Sequence, residues 1–352
     1  MGNKTKERLQ KKLASKKLEN LPFVSVCTPT FNRRPFISSM FEIFRQQDYP
    51  KDKLEWIIID DGTDCIKDLI EKSGIPQIKY YYLSEKVSLG MKRNMLHEKS
   101  KGDILVYMDD DDYYPRDRVS HSVEKLLKNP NALCAGSSEL FIYFNHNKTM
   151  YKFGPYGPNH ATAGTFAFKR KLLEDTRYED HAALAEEKAF LKNYTVPFVQ
   201  LDPYKTIVCF SHSHNTFDKR RLLDNPNPKF VHQTNIKPNM IVKDVNLLRF
   251  YTEDIERELV KYTPGKPENK PDVLAQIKEK DAHRNAKNIH AYIESLQGKN
   301  TEMKNMLEVK EKQITELIIK CNEYKAKSET SEAMLKTIQE ELARDSENSQ
   351  HM

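Results

Sequence analysis

Long apolar runs are missing from this sequence: nowhere do 18 apolar residues follow one another, and the N-terminus lacks the apolar stretch of a secretion signal. Neither a transmembrane segment nor export is therefore expected. Paired cysteines are missing as well. Cys27, Cys65, Cys134, Cys209 and Cys321 are scattered, odd in number and without metal-type spacing, which excludes a disulfide framework and fits a reducing, cytoplasmic compartment. A general excess of charge is also absent. The net charge of +6 is carried by Lys4, Lys6, Arg8, Lys11, Lys12, Lys16 and Lys17 against Glu7. The rest of the chain is formally neutral, and no nucleic-acid partner is expected.

What is present is a long, polar chain. With 352 residues, 31% charged and 38% hydrophobic, it has room for one substantial α/β domain and a solvated helical appendage. Short apolar runs predict strands at 23–28, 54–59, 78–83 and 104–108, with helical spacing between them at 35–45, 65–72 and 91–99. Such a β-α-β-α-β-α-β series implies a mostly parallel, Rossmann-like sheet with flanking helices and ligands at the carboxyl ends of its strands. A helix to about 127, strands near 140–144 and 164–168, a helix over 182–193, an apolar run at 206–210 and a helix over 245–260 complete the domain. The expected division is a basic leader at 1–20, an α/β domain at 21–262, a Pro-rich linker at 263–272 and a helical segment at 273–352 with a disordered end. In that last segment Ile293, Leu296, Met303, Leu307, Ile314, Leu317, Leu335, Ile338 and Leu342 fall on alternating steps of three and four, the a/d pattern of a coiled coil, with Asn300 placed to fix its register. Homo-oligomerisation through this segment is expected.

The strongest chemical signal is the run Asp109, Asp110, Asp111, Asp112 directly after the strand at 104–108. At an effective dielectric near 20, two like charges ~4 Å apart cost on the order of 4 kcal/mol, so something cationic should compensate them. Oxygen-rich carboxylate sites suit Mn²⁺ or Mg²⁺, which keep part of their coordination for phosphates. A second strand, at 54–59, runs into Asp60-Asp61-Gly62, where carboxylates can accept hydrogen bonds from a base or ribose.

Val24 to Arg33, the Asp60-Asp61-Gly62 turn, Gly90-Met91-Lys92-Arg93-Asn94, and Gly102-Asp103 leading to the four acids and Pro115 together resemble family 2 glycosyltransferases of the GT-A fold over roughly residues 22–220. Four successive acids stand where that family usually shows Asp-x-Asp-Asp. The resemblance implies an inverting transfer from a nucleotide sugar, a UDP-sugar above all, to an acceptor hydroxyl on a glycan, protein or lipid. It places Thr28 and Asp60 at the base and ribose, with Pro29 and Thr30 shaping that wall and Asp61 among the donor-binding residues. Arg93 would lie near the donor phosphates, Asp109 and Asp110 on the donor side, and Asp111 with Asp112 at the metal. His212, with His214 second, would complete the metal site, and Lys219, Arg220 and Arg221 would close over the diphosphate. Glu186-Glu187 resembles the family's acidic pair, and Glu187 is expected to be the base; Gly164-Thr165 would form the acceptor-side turn.

Two other readings compete. A non-catalytic scaffold would use the coiled coil and carry a degenerate sugar-nucleotide-binding domain. A nucleotidyltransferase would need a Gly-rich phosphate loop, and 28–36 contains no glycine.

Overall fold

Strand Val24–Thr30 (β1) is buried along its whole length, as a strand covered on both faces must be. In the computed structural model, which describes residues 20–183 and 187–349, it is followed by helix Arg34–Gln46 (α1), strand Leu54–Asp60 (β2), helix Lys67–Ser73 (α2), strand Ile78–Tyr82 (β3), helix Leu89–Lys99 (α3) and strand Ile104–Tyr107 (β4). The leader up to residue 19 lies outside the described residues, as does Glu186. Alternation along the strands sends Val24, Val26, Trp56 and Ile58 into one core layer and Cys27, Ile57, Ile59 and Tyr107 into the other.

The remainder adds helix Arg118–Lys128 (α4), strands Cys134–Gly136 (β5), Leu140–Phe144 (β6), Thr149–Phe153 (β7) and Ala167–Lys169 (β8), then helix Glu187–Phe190 (α5) and strands Phe198–Gln200 (β9), Val208–Ser211 (β10) and Val231–Gln233 (β11). Helices Val245–Arg249 (α6) and Ile255–Lys261 (α7) are joined by one π turn, and helix Pro271–Ser349 (α8) follows. The main sheet has seven strands in the order β3-β2-β1-β4-β8-β5-β9. Its first four are parallel, and β8 runs antiparallel between β4 and β5. The fold is thus α/β with a mostly parallel sheet and flanking helices, followed by a long helix. A second sheet, β10-β6-β7-β11, was not expected as a sheet, because only β6 and the run at β10 were visible in the sequence. The helix expected over 182–193 is one short turn, α5, among the described residues.

The chain divides into two units, one ending at Lys278 and the other beginning at Glu279. In the second, a single helix, the apolar a and d side chains such as Leu307 and Leu317 are each 60% exposed. In the first, residues 262–276 are not a free tether. Tyr262 donates to Asp64, Asn32 donates to the Pro264 carbonyl, and Lys270 is buried.

One core feature makes folding pH-sensitive. His97 on α3 lies parallel to the Tyr107 ring, with Nε2 2.5 Å from the Tyr107 hydroxyl. Burial, with help from Arg93 and Arg170, pushes its pKa from 6.5 down to about 3. A depressed histidine stabilises the fold fully above its unfolded value and loses that contribution as pH falls from about 6.5 toward 3. Thermal stability should therefore decline below pH 6.5, at a slope from this group of at most about 1.4 kcal/mol per pH unit. Melting curves of His97→Gln should show a shallower decline over that window; an unchanged slope would remove His97 as its source.

Candidate active site

The carboxyl ends of β1 and β4 lie side by side, so Pro29, Thr30 and the four acids after Met108 are brought to one mouth of the sheet. A cavity of about 210 Å³ opens there, walled by Pro29, Thr30 and Phe31, by Arg33 and Arg93, and by Asp109, Asp110 and Asp111. Each acid of the run faces a cation. Asp109 lies 3.8 Å from Arg93, Asp110 and Asp111 lie 3.5 and 3.3 Å from the Arg33 guanidinium, and Asp112 lies 3.5 Å from Lys219. The compensation demanded by four adjacent carboxylates is met by side chains. Arg33 stands at the end of β1, where its partners are about 80 residues away in sequence, and no local pattern gives it that role.

The four acids are not equivalent. Burial works against the charge on Asp111, but the hydrogen bond from His212 together with Arg33 and Lys219 outweighs it and holds this carboxyl well below the usual range. Asp110 is pushed up to about 7 by burial, against the pull of Arg33. Asp112 is pushed up to about 6, again by burial first. Its oxygens accept from the Phe210 N–H at 3.2 Å and the Cys209 thiol at 3.4 Å. It therefore ties the turn to β10 and does not line the cavity.

Several expected donor-side residues are used by the fold itself. The Thr28 hydroxyl donates to the Met108 carbonyl at 2.6 Å and accepts from the Trp56 indole N–H at 2.9 Å. Asp60 accepts from Gly62 N–H, Ile66 N–H and the Tyr80 hydroxyl, which shapes the turn after β2. Asp61 pairs with the buried Lys92 and accepts from Val87 N–H at 2.8 Å. Pro29 and Thr30 do line the cavity, as does Arg93, which lies 4.5 Å over the Tyr107 ring.

Histidines 212 and 214 differ in the same way. His212 is buried beside Asp111, with Nε2 3.3 Å from its Oδ2, and its Nδ1 accepts from the His214 backbone N–H at 3.2 Å. Burial lowers its pKa to about 4. The His214 ring packs under Gly265, where an added Cβ would stand 2.9 Å from Nδ1. Lys219 also donates to the Phe210 carbonyl, and Arg220 is exposed and turned to Asp218. Arg221 lies 5.9 Å from the Phe217 ring.

Outside the cavity lining, Glu187 at the start of α5 accepts the Ala163 N–H at 3.4 Å. The turn Ala163–Thr165 separates it from the acids: a Cβ on Gly164 would lie 2.8 Å from Asp109 Oδ2. Thr165 has its hydroxyl bound to the Thr162 carbonyl and the Ser137 N–H. Arg118, fully buried on α4, fixes this turn by donating to the carbonyls of Tyr107, Thr165 and Phe166. That positioning role carries no local sequence signal.

No three His, Cys, Asp or Glu side chains among the described residues form a metal-holding cluster. Asp109 and Asp111, two residues apart on the cavity wall, instead suit an ion of the Mg²⁺ type, which takes one or two carboxylates and completes its shell with phosphate oxygens and water.

Residues 25–190 match glycosyl transferase family 2. Among curated proteins, TuaG of Bacillus subtilis, a glycosyltransferase named for teichuronic acid biosynthesis, is 29% identical over 110 residues, 30% of this chain and 43% of that protein. The poly(ribitol-phosphate) β-N-acetylglucosaminyltransferase TarS of Staphylococcus aureus is 28% identical over 98 residues, 27% of this chain and 17% of that one. The chain thus spans less than half the length of these relatives. Among solved structures, the mannosyltransferase PcManGT from Pyrobaculum calidifontis, in complex with GDP-Man and Mn²⁺, overlaps with a TM-score of 0.44 at 20% identity, over 55% of this chain and 57% of that one. The sheet mouth, the acidic turn and the α5 glutamate all fall within the segment, residues 25–190, that is similar to glycosyl transferase family 2.

Proposed function

We propose that this chain transfers a sugar from a nucleotide sugar, a UDP-sugar first among them, to an acceptor hydroxyl with inversion, assisted by Mn²⁺ or Mg²⁺. The observation that carries the reading is the cavity in which Asp109 to Asp111 meet Arg33 and Arg93 at the sheet mouth, with Glu187 across the Ala163–Thr165 turn. Pro29 and Thr30 form the wall toward the base. Arg93 and Arg33 attract the diphosphate and orient it. Asp111, with His212 hydrogen-bonded behind it and Asp109 beside it, would hold the cation, which supplies Lewis-acid neutralisation of the leaving group's charge. The acceptor oxygen attacks the anomeric carbon, and its proton passes to Glu187. The bond from that carbon to the diphosphate oxygen breaks, and its electron pair leaves with the nucleotide. Gly164, lacking a side chain, lets the Asp109 carboxylate pack against the turn, where a Cβ would stand 2.8 Å from its Oδ2.

Supporting this reading are the family match and the acids gathered at one cavity. A panel of nucleotide sugars, incubated with the full chain and Mn²⁺ and assayed for released nucleotide, tests it. Turnover of at least one donor, abolished by chelation, is expected. Release from none would favour a non-catalytic coiled-coil scaffold.

We further propose that the helix from 279 onward associates with a second copy through the a/d positions between Ile293 and Leu342, whose exposure in the single chain supports a partner of the same pattern. Sedimentation equilibrium should give an oligomer for the full chain and a monomer after removal of residues 279–352. A monomer for both would rule this out.

A further inference from the structure

The cavity at the sheet mouth has a wall that the family match does not include. Downstream of residue 190, the strap at 262–276 returns to the loops that follow β1 and β2 and precede α3 and is fastened at several points. Tyr262 donates to Asp64 at 2.8 Å, Arg33 donates to the Gly265 carbonyl at 3.4 Å, Asp272 pairs with Lys86 at 2.5 Å, and Gln276 donates to the His181 carbonyl at 2.9 Å. Gly265 is required at the closest approach, since a Cβ there would stand 2.7 Å from the Asn32 carbonyl oxygen. The fastening brings Lys270, Asp272 and Val273 into the cavity lining beside Asp110 and Asp111.

Lys270 is the unusual member. It is only 7% exposed, and its ammonium donates to the Thr216 hydroxyl at 2.7 Å and sits 5.7 Å from the Phe31 ring. Among the described residues no carboxylate lies within ion-pairing distance of it. Burial, reinforced by the nearby Arg33, lowers its pKa to about 7 against the pull of Asp110 and Asp111. A desolvated charge in a fold is ordinarily matched by an opposite one. Here the ammonium is anchored by a neutral hydroxyl and an aromatic face, and it borders a cavity already furnished with Arg33 and Arg93. Of the five cations lining the void, Lys86 and Lys92 are paired with Asp272 and Asp61 and the two arginines face the acidic turn, so Lys270 is left to meet an anion bearing several oxygens.

We propose that Lys270 binds the diphosphate of the nucleotide donor, so that the strap after the family-matched segment supplies part of the donor site. The inference rests on the nucleotide-sugar reading above and extends it to a residue outside the matched segment. Thr216 acts as its positioning residue, holding the ammonium toward the cavity. Asp272, bound to Lys86, keeps the strap in place without neutralising Lys270.

The test is calorimetric titration of the full chain, in Mg²⁺, with UDP, GDP and dTDP and with the matching nucleosides. For whichever diphosphate binds, Lys270→Met should weaken affinity by about thirtyfold or more, the loss expected when one partner of a buried charge pair is removed. Affinity for the nucleoside alone should be unchanged, whereas a merely structural role would lower both. Lys270→Arg should recover most of the loss. Thr216→Val, which keeps the charge and removes its anchor, should weaken diphosphate binding by about three- to tenfold and serves if Lys270→Met does not fold. Diphosphate binding unchanged in Lys270→Met or Thr216→Val would overturn the role of Lys270 and leave the nucleotide-sugar reading standing. Failure of the unaltered chain to bind any of the diphosphates would overturn both.

Discussion

Asp111→Asn should lower kcat for sugar transfer by about 10²- to 10³-fold, the loss typical when one stabiliser of developing charge is removed from an enclosed site. Among the four acids this carboxylate alone combines a place on the cavity wall, a neighbouring imidazole and a strong preference for the charged form. Asparagine keeps the shape and can still accept from Arg33 and His212, so the fold should survive with its melting temperature little changed. Asp112→Asn provides the contrast. Its carboxylate joins the acidic turn to the Phe210 N–H, the Cys209 thiol and Lys219, and amidation there should cost stability before it costs chemistry. Steady-state kinetics beside thermal melts for the two variants separate the cases. An Asp111→Asn enzyme with an unaltered rate, or one that simply unfolds, would contradict the assignment.

Glu187→Gln should lower kcat by about 10²- to 10⁴-fold with donor affinity almost unchanged, because a general base acts on the acceptor's proton and not on the nucleotide. The supporting geometry is the single turn Ala163–Thr165, which holds Glu187 on one side through the Ala163 N–H and meets Asp109 on the other through Gly164. An acceptor hydroxyl placed there lies between the proposed donor and the proposed base. The acid limb of the pH–rate profile should disappear in the variant. Loss of donor binding in parallel with kcat would make Glu187 a positioning residue. Glu186, its neighbour, lies outside the described residues, and Glu186→Gln is the natural comparison.

The first half of the domain was legible because most of its strands and helices carry a clear pattern: Val24 to Thr30 and Leu54 to Asp60 are short, largely apolar runs buried along their whole length, and α1 and α4 bury one face each. The second sheet was legible only at β6 and β10. Strands β5 and β9 of the main sheet and β11 of the second have three residues each, too few for alternation to emerge from background. Motif spacing singled out the acids and the α5 glutamate but could not see what each side chain would touch. Thr28 carries the resemblance to a base-binding threonine, yet the buried indole N–H of Trp56 needs an acceptor and Thr28 provides it. Asp60 likewise stands at the right strand end and spends its oxygens on the turn that follows. Arg33, Arg118 and Lys270 were given no role, since each acts across a separation that sequence periodicity does not encode. Proline-rich composition at 263–271 suggested a tether, whereas backbone carbonyls of that stretch accept hydrogen bonds from Asn32 and Arg33.

The most direct measurement is an anomalous difference map from crystals of the full chain grown with Mn²⁺ and the nucleoside diphosphate that binds it. The expected result is a single strong peak within coordinating distance of the Asp111 carboxylate, bridged to the diphosphate, with Arg93 and Lys270 against the phosphate oxygens. A diphosphate bound away from the Asp109 to Asp111 turn, or manganese bound with no contact to it, would contradict the proposed site.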